Sequence, residues 1–297
     1  MSRPIHYTAA RSTADPGRAD AVAAGGPLLR LTRLGVLVLL VLALVNGLFL
    51  YLVPGRAEFD YAWPITPPIN AAMIGAGYLA GVVATGLVVL YARSWRSLRV
   101  LPLALAVLSA TSLAATLIHR DRFFWDYAPT WVWTAIYATV PLFVLGFWVV
   151  QERASGPAPA ADPRLGPLRA RSAALGAVLA LIGLALFVAP AAMADVWPWP
   201  LTPLLARVGA AWYLLAACVL LVCARTLRRC HEVPIAYATL GTWSVLLLAL
   251  PAVYSGDLAD RPGALVAWMV VQVALLALAA SALARTLPVL RAGEERL

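Results

Sequence analysis

Eight apolar runs, at about 34–53, 68–92, 100–118, 130–150, 172–194, 203–224, 235–254 and 263–287, fill most of the chain. Most reach the ~20 residues an α-helix needs to cross a hydrocarbon core of ~30 Å. In lipid no water satisfies the backbone, so each run must bond its own amides, and no alternating pattern suggests a strand barrel. The sequence therefore predicts an all-α polytopic membrane protein of about eight transmembrane helices. Composition agrees. The chain is 62% hydrophobic and 12% charged, where a soluble domain carries roughly 25% charged residues. The third and seventh runs are the shortest and most polar, so their ends are the least defined.

A second feature divides the chain. Trp63-Pro64-Ile65-Thr66-Pro67 returns as Trp199-Pro200-Leu201-Thr202-Pro203, an offset of 136 residues (199 − 63), and each copy opens a long apolar run. This predicts two tandem four-helix repeats. Each half holds an even number of spans, so the repeats take a parallel orientation about a pseudo-twofold along the membrane normal. The expected organisation is a disordered basic tail over 1–33, a first membrane repeat over 34–153, a linker over 154–171, a second repeat over 172–290 and a short tail over 291–297. The tail is too long and too polar for a signal-peptide n-region, and no small-x-small site follows the first run.

All 23 basic residues are Arg. One side collects Arg3, Arg11, Arg18, Arg30 and Arg33; Arg93, Arg96 and Arg99; Arg153, Arg164, Arg169 and Arg171; Arg225, Arg228 and Arg229; and Arg285, Arg291 and Arg296. The other side has only Arg56, Arg120, Arg122 and Arg261, and Arg207 falls inside a run. The balance of 18 against 4 places both termini in the cytoplasm, and the expected location is a bacterial inner membrane. Seven of the 14 carboxylates, Glu58, Asp60, Asp121, Asp126, Asp195, Asp257 and Asp260, fall on the outer side. A net charge of +9 distributed this way is a topology signal; no basic stripe or RNA-binding motif accompanies it, so no nucleic-acid partner is expected.

In each Trp-Pro copy the prolines stand where a helix begins and a missing N–H costs nothing. Thr66 and Thr202 are suited to N-capping, and Trp63 and Trp199 to headgroup depth. Asp60 and Asp195 precede the two motifs. Read as helix starters and interfacial anchors, these residues need no ligand. Read as a pair of turns facing one another, they frame an outward-facing vestibule.

Arg207 follows the second motif about one turn into the sixth run. A charge inside a span costs ~2.5–3.5 kcal/mol at the centre and usually faces the bundle interior or water. Its first-half counterpart lies near Asn70, polar but uncharged. Arg207 is therefore the receiver of an anionic solute or lipid headgroup, one member of a structural pair with Asp60, Asp195, Asp257 or Asp260, or a structural Arg that snorkels to the lipid phosphates.

In the third run Ser109, Ser112, Thr116 and His119 share one helical face. That face either lines a watery path ending at His119 or bonds back to helix carbonyls, as Ser and Thr in spans commonly do. Gly77-x3-Gly81 and Thr85 in the second run predict a close helix approach. The aromatic stretch 123–127, with Trp131 and Trp133, reads as an interfacial belt.

Several chemistries lack their residues. No Walker-type loop, dinucleotide fingerprint, G-x-S-x-G elbow or His-Glu-x2-His helix is present, which argues against ATP drive and the common hydrolase and zinc-protease designs; a membrane enzyme ranks third among the readings, and no cofactor is expected. Cys218, Cys223 and Cys230 do not have the close spacing of zinc ligands, and no disulfide framework or metal is predicted. His6, His119 and His231 fall at unmatched depths, which excludes paired haem ligation within one chain. No span carries a mid-membrane carboxylate for ion coupling.

The run Trp197-Pro-Trp-Pro-Leu-Thr-Pro-Leu-x-Ala-Arg207 resembles a motif in uncharacterised multi-pass membrane proteins of high-GC, actinobacteria-like genomes. That resemblance implies an architecture and no catalytic activity. Two function classes follow from the sequence. One is a carrier or binding protein for a small solute or lipid, with an outward-facing site drawn from Arg207, Asn70, Asp60, Asp195, Trp63, Trp199 and His119. The other is a non-catalytic scaffold or assembly subunit whose partners are lipids, a membrane protein or a second copy of the chain.

Overall fold

A computed structural model describes the backbone of residues 30–92 and 94–291 and the side chains of 34–92 and 94–289. Most of the expected N-terminal tail, Arg93 and residues 292–297 lie outside the described residues. Among the described residues nine α-helices follow one another: α1 Arg30–Leu52, α2 Pro68–Tyr91, α3 Val100–Ile118, α4 Ala128–Ala154, α5 Gly166–Val188, α6 Pro190–Val196, α7 Pro203–Thr226, α8 Pro234–Val253 and α9 Pro262–Arg291. Among the described residues there is no strand. All but α6 are long and apolar enough to cross a membrane. The chain is a multi-pass membrane protein whose outer helical surfaces meet lipid.

The eight runs and the eight long helices coincide except in the fifth. The sequence placed a span over 172–194, whereas α5 runs over Gly166–Val188 and stops before Pro190. Proline cannot donate to the helix and pushes the preceding residue out of the α region. Ala189 accordingly sits at φ −121°, ψ 57°, and the seven residues of α6 form a separate turn. At the other end Pro167 occupies the first turn of α5, so the helix begins within the stretch read as linker.

The two Trp-Pro turns also start their helices differently. Thr202 caps α7 as expected, its hydroxyl accepting from the Leu205 amide at 3.2 Å. Thr66 does not cap α2, because Pro67 and Pro68 in tandem delay the helix and put Pro67 at the cap position. The first-turn amide of Ile69 is instead capped from the far half of the chain, by Asp257 Oδ2 at 3.0 Å.

Packing interleaves the halves. Within the first half α1 lies on α2 and α3 on α4; within the second α5 lies on α7 and α8 on α9. The remaining major contacts cross between halves, α2 with α8 and α3 with α7. α7 and α8 are therefore the most enclosed spans and α1 the least. Small residues permit the closest approaches. A Cβ on Gly75 would lie 2.6 Å from the Tyr51 amide nitrogen in α1, and one on Gly77 would collide with the Trp212 ring of α7. Gly81, the second glycine of the predicted motif, has only an ordinary contact, 3.7 Å to Ala43.

Candidate functional site

The seven residues singled out by the sequence occupy five places. Asn70 and Trp199 meet. The Asn70 amide donates to the carbonyls of Thr66, at 3.1 Å, and Pro200, at 3.0 Å, while its oxygen accepts from Trp199 Nε1 at 2.9 Å. Both side chains are fully buried, so the two Trp-Pro turns are in direct contact here.

Trp63 lies elsewhere, among Tyr61, Phe123 and Trp133, with ring centroids 4.7–5.1 Å away. Trp63 and Trp199 are therefore interior residues and not interfacial anchors. The aromatic stretch is likewise split: Phe123 and Trp133 are buried, while Trp131 is exposed. At the repeat offset Asn70 corresponds to Ala206, which has no acceptor side chain, and Trp63 Nε1 is buried without a partner among the described residues.

Arg207 and His119 form the third place. Arg207 Nε donates to the Phe187 carbonyl at 3.0 Å, and Nη1 lies 2.6 Å from His119 Nε2. A guanidinium can only donate, so Nε2 accepts and the imidazole proton sits on Nδ1. Partial burial, and then the Arg207 charge, hold the His119 pKa below its ordinary 6.5. The Phe187 ring lies under the guanidinium at 5.9 Å. Among the described residues no carboxylate pairs with Arg207. The expected partners are otherwise engaged or not in contact: Asp60 binds Arg56 at 2.5 Å, and Asp257 caps α2. Asp60 thus stands apart with Arg56, and Asp195 is exposed at the rim of a pocket described below.

On the polar face of α3, Ser109, Ser112 and Thr116 are buried. Thr116 donates to the Ser112 carbonyl at 2.9 Å and accepts from Trp133 Nε1 at 2.9 Å. Thr116 thereby ties α4 to α3.

A large cleft has no counterpart in the sequence reading. A cleft of about 830 Å³ separates α1–α2 from α3–α4, floored by Trp212, Leu215 and Val219 of α7 and by Thr239 and Trp243 of α8. It exists because α1 packs chiefly on α2 and α4 chiefly on α3, leaving a gap between the pairs. Exposed Val41 and Val45 on α1 and Val132 and Phe143 on α4 flank its mouth, so it opens sideways. At the end near the start of α1, Gly35 closes against Phe147, a Cβ there lying 3.7 Å from the ring.

The walls are almost wholly apolar. Their few polar groups are Asn46, Tyr61, Tyr78, Ser109, Tyr137 and Thr239. Tyr78 of α2 and Tyr137 of α4 bond to each other across the cleft at 2.5 Å, and Tyr61 donates to Asn46 Oδ1 at 3.4 Å. Tyr78 stands ten residues into α2, ~15 Å along its axis, near mid-membrane. The available sequence signal was a tyrosine in the middle of each of two otherwise apolar runs.

No family model, curated protein or solved structure matches the chain.

Proposed function

We propose that this protein binds, and as a carrier delivers, an amphiphilic lipid-like molecule whose hydrocarbon part enters the sideways cleft from the bilayer. The observation that carries this reading is the cleft itself: about 830 Å³, apolar, and open between two helices at membrane depth. Ligand sites usually span ~300–1,000 Å³. The cross-half pairs α2–α8 and α3–α7 exchange with each other when the halves are swapped, which supports the duplicated organisation read from the Trp-Pro repeat. The Arg distribution supports a bacterial inner membrane with cytoplasmic termini.

The test fills the cleft. Leu105, on the cleft wall in α3, replaced by tryptophan should leave a folded protein that loses a lipid mass retained by the wild type, measured by native mass spectrometry from mild detergent. Equal retention by both proteins, or none by either, would overturn the proposal. A bound protein in place of a lipid would point to the scaffold role.

A second reading rests on Arg207, whose charge has no carboxylate partner among the described residues. In that reading it receives an anionic group at the outer margin. Loss of a bound anion in Arg207→Leu, with the cleft ligand kept, would separate the two sites.

A further inference from the structure

A second pocket, of about 550 Å³, lies at the end of the bundle that carries the Trp-Pro turns, between α6 and the start of α9. Its rim holds two opposite charges, Arg261 and Asp195, and its deeper wall is apolar, with Ile182, Trp268 and Val271. Arg261 is fixed there by its own backbone contacts. Nη1 donates to the carbonyls of Ala194, at 2.7 Å, and Trp197, at 3.0 Å. Its Nε and Nη2 donate to nothing among the described residues, and no carboxylate pairs with it there.

Trp197, only 5% exposed, lines the same pocket. Asp195 lines the pocket and makes no ion pair with Arg261 or any other described residue. A plain anion would meet the Asp195 carboxylate, and a plain cation would meet Arg261. A ligand with both signs satisfies both.

We infer that this pocket holds the headgroup of a zwitterionic phospholipid. The phosphate is bound by the free guanidinium edge of Arg261, the ammonium by Asp195, and an acyl chain lies along Ile182 and Val271. Depth fits this assignment. Arg261 immediately precedes the first residue of a spanning helix, where headgroups lie. Bidentate donation to phosphate is the interaction for which a guanidinium is best shaped. The site is separate from the sideways cleft and does not depend on it.

The test uses Leu105→Trp protein, so that the cleft does not contribute. This protein is released from nanodiscs of equal phosphatidylethanolamine and phosphatidylglycerol, and its retained lipid is measured by native mass spectrometry. It should retain phosphatidylethanolamine over phosphatidylglycerol about tenfold. Asp195→Asn should bring that ratio close to one, because only phosphatidylethanolamine carries the ammonium. Arg261→Gln should lower retention of both. An unchanged ratio in Asp195→Asn overturns the inference. Asp195 is exposed and makes no ion pair among the described residues, so this variant decides even if Arg261→Gln, which also ties two carbonyls, fails to fold.

Discussion

Asn70 and Trp199, 129 residues apart, share the hydrogen bond that joins the two Trp-Pro turns. The same amide also holds the Pro200 carbonyl, so one side chain ties the start of α2 to the turn before α7. Asn70→Leu would leave the Trp199 N–H and the Pro200 carbonyl buried and unpaired. At ~1–3 kcal/mol per unsatisfied group, against ~0.6 kcal/mol for an average side-chain bond between spans, a loss of about 2 kcal/mol is expected. Thermal unfolding in detergent, followed by tryptophan fluorescence, should show a midpoint several degrees lower. An unchanged midpoint would mean that the tie carries no stability.

The Arg207–His119 pair gives stability a pH dependence of defined sign. The folded protein holds His119 below its ordinary pKa of 6.5, so the unfolded chain binds the proton more readily. Stability from this pair is therefore complete above about pH 6.5 and falls as the pH drops from there through the depressed folded value. His119→Gln keeps an acceptor and cannot titrate. Unfolding midpoints measured from about pH 8 to about pH 5.5 should fall more steeply for the wild type than for this variant. Parallel curves would remove His119 as the source.

The glycines of α2 offer a matched comparison. A Cβ on Gly75 meets backbone, the Tyr51 amide nitrogen at 2.6 Å, and backbone cannot rotate away. Gly75→Ala should cost ~1–3 kcal/mol by overpacking α1 against α2. Gly81→Ala, with 3.7 Å to its nearest neighbour, should be neutral or slightly stabilising, since glycine is the poorer helix former. Unfolding midpoints of the two variants side by side would test this, and equal losses would refute the packing account.

The spans were legible because their signal is local: a run of apolar residues long enough to cross lipid leaves one backbone solution. The break at Pro190 was equally local, a proline inside the fifth run, and reading that run as continuous passed over it. The site residues were harder. Trp63 and Trp199 carry the same neighbours whether they face headgroups or the interior, and only the pairing of distant helices decides. Arg207 was identified as a residue needing a partner, but the sequence offered acids and the fold supplied His119 and a carbonyl. The cleft had no local signature beyond Tyr78 and Tyr137. A gap between α1–α2 and α3–α4 is a property of which helices pack together, and no single run encodes that.

The interleaved packing also sets an order of events during synthesis. α2 and α3 leave the ribosome well before their partners α8 and α7 exist, so they must wait in the bilayer with their contact faces open. Asn70 waits with them, its amide unsatisfied until Trp199 and Pro200 are made. Assembly of the first four spans is thus provisional, and the protein reaches its working form only when the second half threads between them.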